Sequence, residues 1–130
     1  VFRHVLVKKS LVSMGLLAVF ACSAAVAYAA PISFETSSTQ IVFDNKNGKW
    51  ASQAYTKGSY GTQYSRTYTE IYGDGYKRDW KKSDKVKGRE SQAVAYANTG
   101  FASYEAESDH RIWWTQDDVD SIATHSDDSF

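Results

Sequence analysis

Six aromatic residues, Tyr60, Tyr64, Tyr68, Tyr72, Tyr76 and Trp80, recur at intervals of four. On an α-helix each such step turns the side chain by about 400°, so the set drifts by about 40° per step and smears over half the cylinder. On a strand every even position shares one face. The odd positions between them (Gly61, Gln63, Ser65, Thr67, Thr69, Ile71) are small and mostly polar. Thr and Tyr favour strands, and Gly is a poor helix former. The segment therefore reads as β, broken at Gly73-Asp74-Gly75 into a hairpin that returns over residues 76–82. Its tyrosine face has two readings. As core, it packs against an opposite sheet with its hydroxyls at the rim. As a binding face, it stays partly open to a sugar or lipid.

The rest of the chain follows the same pattern. Ile41-Val42-Phe43 is a short strand, and Asn47-Gly48 between apolar runs signals a hairpin, because both residues accept positive φ. Residues 50–55 form the return strand. Residues 83–90 read as a charged loop, 92–96 alternate polar and apolar, 98–100 turn, 101–105 return, and 111–115 form a last aromatic strand. No helical period of useful length follows residue 30. The expectation is an all-β domain over residues 41–115, a small antiparallel β-sandwich or barrel. It is preceded by a flexible Ser/Thr-rich leader (30–40) and followed by an acidic disordered tail (116–130) with little apolar surface.

Upstream, a short basic stretch (Arg3, Lys8, Lys9) precedes an apolar run from Leu11 to about Val26, with Ala27, Ala29 and Ala30 after it. That order is a secretory signal peptide over residues 1–29. The sole cysteine, Cys22, lies inside it, so neither a disulfide nor a Cys metal site is expected in the exported domain. A rival reading takes Val19-Phe20-Ala21-Cys22 as a lipobox, although Phe20 is a poor residue there. From Lys46 to Arg111 the chain has 12 basic and 8 acidic residues, a net of +4. From Ile112 to Phe130 it has five Asp and no Lys or Arg, a net of −5. A weakly basic body thus carries an acidic end.

Little in the sequence carries catalysis. There is no Cys nucleophile, Gly-x-Ser-x-Gly, His-Glu-x-x-His or phosphate loop, and His110 and His125 are the two histidines after residue 29. No catalytic residue, metal or cofactor is expected. Glu105, Glu107 and Asp109 alternate along one strand face, as a carboxylate pair for glycoside chemistry or simply a solvated face. The Asp-rich end lacks the Gly and closing Glu of a calcium loop. The basic run Lys77, Arg78, Lys81, Lys82, Lys85, Lys87 and Arg89, with Trp80 among them, has the mix of charge and stacking surface used on nucleic acid. Export excludes nucleic acid and leaves the anions of a bacterial envelope as the expected partner, besides signal peptidase and the secretion machinery. The bland alternative is a solvated loop.

Several short motifs resemble the lactococcin 972-type bacteriocins. Gly48-Lys49-Trp50 is similar to the opening of their mature region, Tyr64-Ser65-Arg66-Thr67-Tyr68 to the middle, and Gly88-Arg89-Glu90-Ser91-Gln92-Ala93 to a later motif. Ala102-Ser103-Tyr104 or Trp113-Trp114 is similar to the aromatic close. The resemblance covers roughly residues 46–114. It departs where a histidine often follows the tyrosine stretch, and residues 115–130 run past the usual end. It implies an exported antibacterial β-sandwich acting non-enzymatically at the envelope of related bacteria. A secreted carbohydrate- or wall-polymer-binding module and a small secreted enzyme inhibitor are the alternatives. For processing, the expected cut lies before Ala30, with Ala at both specificity positions and Pro31 away from the bond. Intact mass of culture supernatant should give a chain starting there; a lipid-modified Cys22 would refute it.

Overall fold

The computed structural model describes residues 30–130, and the proposed signal peptide and Cys22 lie outside the described residues. Eight strands follow one another: β1 (Phe34–Asp44), β2 (Lys49–Gly58), β3 (Tyr64–Gly73), β4 (Tyr76–Lys82), β5 (Val86–Lys87), β6 (Glu90–Ala97), β7 (Tyr104–Trp113) and β8 (Ser121–Ser129). They form two antiparallel sheets, β1-β2-β6 and β4-β3-β7-β8, with the two-residue β5 also paired to β3. The sheets stack as an open sandwich, and there is no closed barrel.

Two expectations are corrected at the ends of the domain. Residues 34–44 are a full-length strand, not a flexible leader, and pair with β2 from Phe34↔Gly58 to Asp44↔Lys49. The acidic end is not disordered either, because β8 pairs with β7 from Glu105↔Ser129 to Trp113↔Ser121. Period-2 alternation of Ser, Thr and Asp carries little hydropathy signal, so both strands look like polar linkers when only apolar residues are counted.

The two turns use different chemistry. Asp74 and Gly75 both have positive φ, 50° and 84°, which suits a two-residue hairpin loop between Gly73 and Tyr76. At the first hairpin only Gly48 is left-handed, at 64°. The Asp44 carboxylate instead organises the loop by accepting from the Lys46 and Asn47 backbone N–H groups.

The interior is built on the small face of β3. Tyr64, Tyr68 and Tyr72 lie on the outer face, and Ser65, Thr67, Thr69 and Ile71 point inward and are buried. Tyr60 lies in the loop before β3 and Tyr76 opens β4; both are exposed, so the spacing of four does not define one continuous face. Across the sandwich the inner positions are equally small: Ser52, Ala54, Thr56, Ser91, Ala93, Ala95 and Ala97. One end is apolar, where Trp50 meets Phe43, Tyr104 and Phe130 at ring-centroid distances of 5.2, 5.6 and 4.6 Å. Gly73 belongs to this end: a Cβ there would come within 2.4 Å of the Phe101 ring.

The other end is a chain of hydrogen bonds, fully buried from His110 to Ser91 and partly buried at Thr39 and Ser126. Thr39 Oγ1 meets Ser126 Oγ at 2.5 Å, and Ser126 meets His110 Nε2 at 2.7 Å. His110 Nδ1 meets Thr56 Oγ1 at 2.7 Å, Thr56 meets Thr67 at 2.7 Å, and Thr67 meets Ser91 at 2.8 Å. These six residues come from six different strands, three in each sheet.

Each open edge of the sandwich is closed by an aspartate. Asp128 accepts from the Ile41 backbone N–H at 2.9 Å, joining β8 to β1, and Asp79 accepts from the Tyr96 N–H at 2.9 Å, joining β4 to β6. Such bonds cover edge groups that would otherwise recruit other strands. Just after β8, Phe130 is stacked on Tyr104 at 5.4 Å. Deleting residues 117–130 should therefore lower stability by several kcal/mol, because it strips one edge strand and Phe130 of the aromatic cluster. Asp128→Ala alone should cost about 1–3 kcal/mol through the stranded N–H. Urea denaturation of both variants measures this; an unchanged midpoint for the deletion would mean that the end is not docked.

Candidate functional site

A concavity of about 690 Å³ lies over the smaller sheet where β4 overhangs β6. Outward residues of three strands floor it. Gln40, Gln53 and Val94 share one cross-strand row, and Ser38, Tyr55 and Gln92 the next. Tyr96 and, from the larger sheet, Lys81, Lys82 and Ser83 form its wall. Amides that donate and accept, flat rings and two ammonium groups therefore face one groove, which suits a hydroxyl-rich ligand with negative charge.

The basic segment is divided by the fold, and only Lys81 and Lys82 reach the groove. Lys77 pairs with Glu70 at 3.1 Å on the outer face of the larger sheet. Arg78 is the extra residue where the β3–β4 register shifts; it donates twice to the Gly73 carbonyl and covers the Phe101 ring at 4.1 Å. Trp80 is exposed, 5.9 Å from the Tyr68 ring. Lys85 pairs with Asp118 at 3.0 Å and lies 4.6 Å from the Trp113 centroid. Lys87 is exposed on β5. Arg89 is bound to Glu35 at 2.9 Å and covers Tyr60 at 4.1 Å. The segment is thus neither one patch nor a plain solvated loop, since Arg78, Lys85 and Arg89 act as structural straps.

Tyr68 and Tyr72 both donate to Glu70, at 2.5 and 2.6 Å. Burial, then the bond to Glu70, raises both phenol pKa values. Burial alone would raise the Glu70 carboxyl, but the bonds from Tyr68, Tyr72 and Lys77 hold it below its usual range. Of Glu105, Glu107 and Asp109, only Asp109 is open to solvent. Glu105 is only 2% exposed, and His125 of β8 sits 2.7 Å from Asp109 and 3.3 Å from Glu107.

The Ser126–His110 contact has the distance of a nucleophile–base pair, but its surroundings suit neither role. Burial pulls the His110 pKa down to about 4, and its other nitrogen meets a threonine instead of a carboxylate. A weak base held in this way joins the sheets and does not activate the hydroxyl.

No protein-family model matches the chain, and no curated protein matches it. Among solved structures it is similar to part of the Parabacteroides merdae β-glucuronidase. In the crystal structure with glycerol in the active site, the identity is 10% and the TM-score 0.44, covering 76% of this chain and 13% of that one. In a second crystal structure of that enzyme they are 9% and 0.43, covering 74% and 13%. The chain thus spans about an eighth of the enzyme's length, and a likeness this distant assigns no activity.

The two histidines give the fold a pH signature of opposite signs. Below about pH 6.5 the unfolded chain takes up a proton that buried His110 refuses until about pH 4, so stability falls on acidification through that window. The shift corresponds to on the order of 3 kcal/mol. Burial alone would lower the His125 pKa, but Asp109 and Glu107 raise it to about 9. Its contribution is complete below about pH 6.5 and is lost as pH rises to 9. The midpoint of thermal unfolding, followed from pH 4 to 9, should therefore be highest near neutrality. His110→Gln should flatten the acid limb and His125→Gln the alkaline limb; limbs unaffected by these changes would assign the titration to other groups.

Proposed function

We propose that this chain is an exported protein that acts without chemistry of its own, by docking on an anionic polymer of the bacterial envelope through the groove over the smaller sheet. The groove itself carries the reading. Gln40, Gln53 and Gln92 supply paired donors and acceptors, Tyr55 and Tyr96 supply rings, and Lys81 and Lys82 supply charge at one wall. Sugars are held by just such amides and aromatic faces, and each basic group near an anionic surface adds about 1 kcal/mol.

A second reading, in which docking kills related bacteria as a lactococcin 972-type bacteriocin does, draws support from one contact. Trp50 of the opening motif and Tyr104 of the closing motif meet at 5.6 Å in the aromatic cluster. The resembling segments therefore belong to one structural unit.

The test is cosedimentation of purified residues 30–130 with isolated bacterial cell walls across a salt series, followed by a spot assay on live cells. Lys81→Gln should weaken binding several-fold and flatten its salt dependence, with little change in stability because Lys81 is exposed. Gln53→Ala with Gln92→Ala should weaken binding and leave the salt slope unchanged. Parent-like binding by all of these variants would remove the groove from the function. Binding without killing would select the non-toxic module.

A further inference from the structure

Arg66 of β3 and Arg111 of β7 are direct cross-strand neighbours on the outer face of the larger sheet. Like charges placed opposite each other destabilise an antiparallel pair, and among the described residues no ion pair neutralises either one. Arg66 lies 5.3 Å from the centroid of the Trp113 ring, and Arg111 donates to Ser121 Oγ at 2.7 Å. The acid beside them, Asp109, is engaged by His125 at 2.7 Å. Lys82, opposite Tyr68, adds a third cation. Arg66, Lys82 and Arg111, together with Tyr68 and Asp109, line a pocket of about 420 Å³.

A second observation points the same way. Trp113, beneath Arg66 and Lys85, is 2% exposed, and its indole N–H has no acceptor. A buried donor left so costs about 1–3 kcal/mol. This end of the sheet therefore concentrates donors and positive charge, and Asp109, held by His125, is the carboxylate in the pocket lining. Two guanidinium forks side by side match an anion with several oxygens better than a point charge.

We propose that the pocket between Arg66, Lys82 and Arg111 binds a tetrahedral oxyanion, a phosphate or sulfate ester group. The site lies on the opposite side of the sandwich from the groove and shares only Lys82 with it. It stands independently of the reading above, and the groove variants Lys81→Gln and Gln53→Ala/Gln92→Ala leave it intact.

The experiment follows the arginine Nε–Hε signals of ¹⁵N-labelled protein while sodium phosphate, sodium sulfate or sodium chloride is added at matched ionic strength. The Arg66 and Arg111 signals should move and saturate with phosphate and sulfate, with a midpoint on the order of 1 mM. Chloride should leave them unsaturated. Arg66→Gln should lose the response at least tenfold, and Arg66→Lys, which keeps the charge without the fork, several-fold. If Arg66→Gln unfolds through lost packing on Trp113, Arg111→Gln provides the same test. Absence of a saturable shift, an equal response to chloride, or a full response in the Gln variants would overturn the proposal. Cosedimentation with phosphatidylcholine vesicles containing phosphatidylglycerol, against binding of a soluble glycerol-phosphate polymer, tells a lipid headgroup from a polymer. Competition by inorganic phosphate in either arm supports the site, and retention in its presence counts against it.

Discussion

A chain of six hydrogen-bonding side chains, Thr39–Ser126–His110–Thr56–Thr67–Ser91, runs through one end of the sandwich and draws one residue from each of six strands. Every hydroxyl in it can donate once and accept twice, and the neutral imidazole donates at one nitrogen and accepts at the other. The chain is therefore satisfied only when all six strands are in register. A one-residue slip in any strand would turn its hydroxyl to the outer face and leave the neighbouring group buried without a partner. Few large apolar side chains lie between the sheets, so orientation here comes from polar matching more than from interlocking volume. The apolar end around Trp50, Tyr104 and Phe130 supplies burial, and the polar end supplies the register.

This arrangement explains why the terminal segments belong to the fold. Thr39 lies on β1 and Ser126 on β8, so both members of the chain's outer link come from segments that look like polar linkers in isolation. Asp128 reinforces the same seam by accepting from Ile41. His125, between Asp109 and Glu107, anchors β8 from the opposite face. Each bond adds modestly, but they act on one edge strand from both of its faces.

An interior built of Ser, Thr and Ala also frees the larger residues for the surface. The tyrosines of β3, the glutamines of β1, β2 and β6, and the arginines of β3 and β7 all face outward. The two outer faces then differ in character. The smaller sheet offers neutral hydrogen-bonding groups rimmed by Lys81 and Lys82. The larger sheet is divided between a carboxylate-rich region bonded to Tyr68, Tyr72, Lys77 and His125 and a cationic region around Arg66 and Arg111.

The amino-acid sequence by itself determined the class of the fold and most of its punctuation. Spacing of two and four in Tyr60–Trp80 excludes a helix, and Asp74-Gly75 specifies a tight hairpin, because these are local properties of the backbone. Which face of a strand is buried is not local. Ser65-x-Thr67-x-Thr69 reads as solvent-facing until Thr56, Ser91 and His110 are brought opposite from elsewhere in the chain. The same holds for Arg66 and Arg111, which lie far apart in sequence and become neighbours only through the β3–β7 register. It holds for Lys81 and Lys82 as well, which are separated from the rest of their basic run because a register shift at Arg78 and the overhang of β4 aim them at the groove. Local pattern could name the strands, but only long-range pairing could decide what each face meets, since the partners that satisfy a buried hydroxyl or confront a surface charge come from other strands.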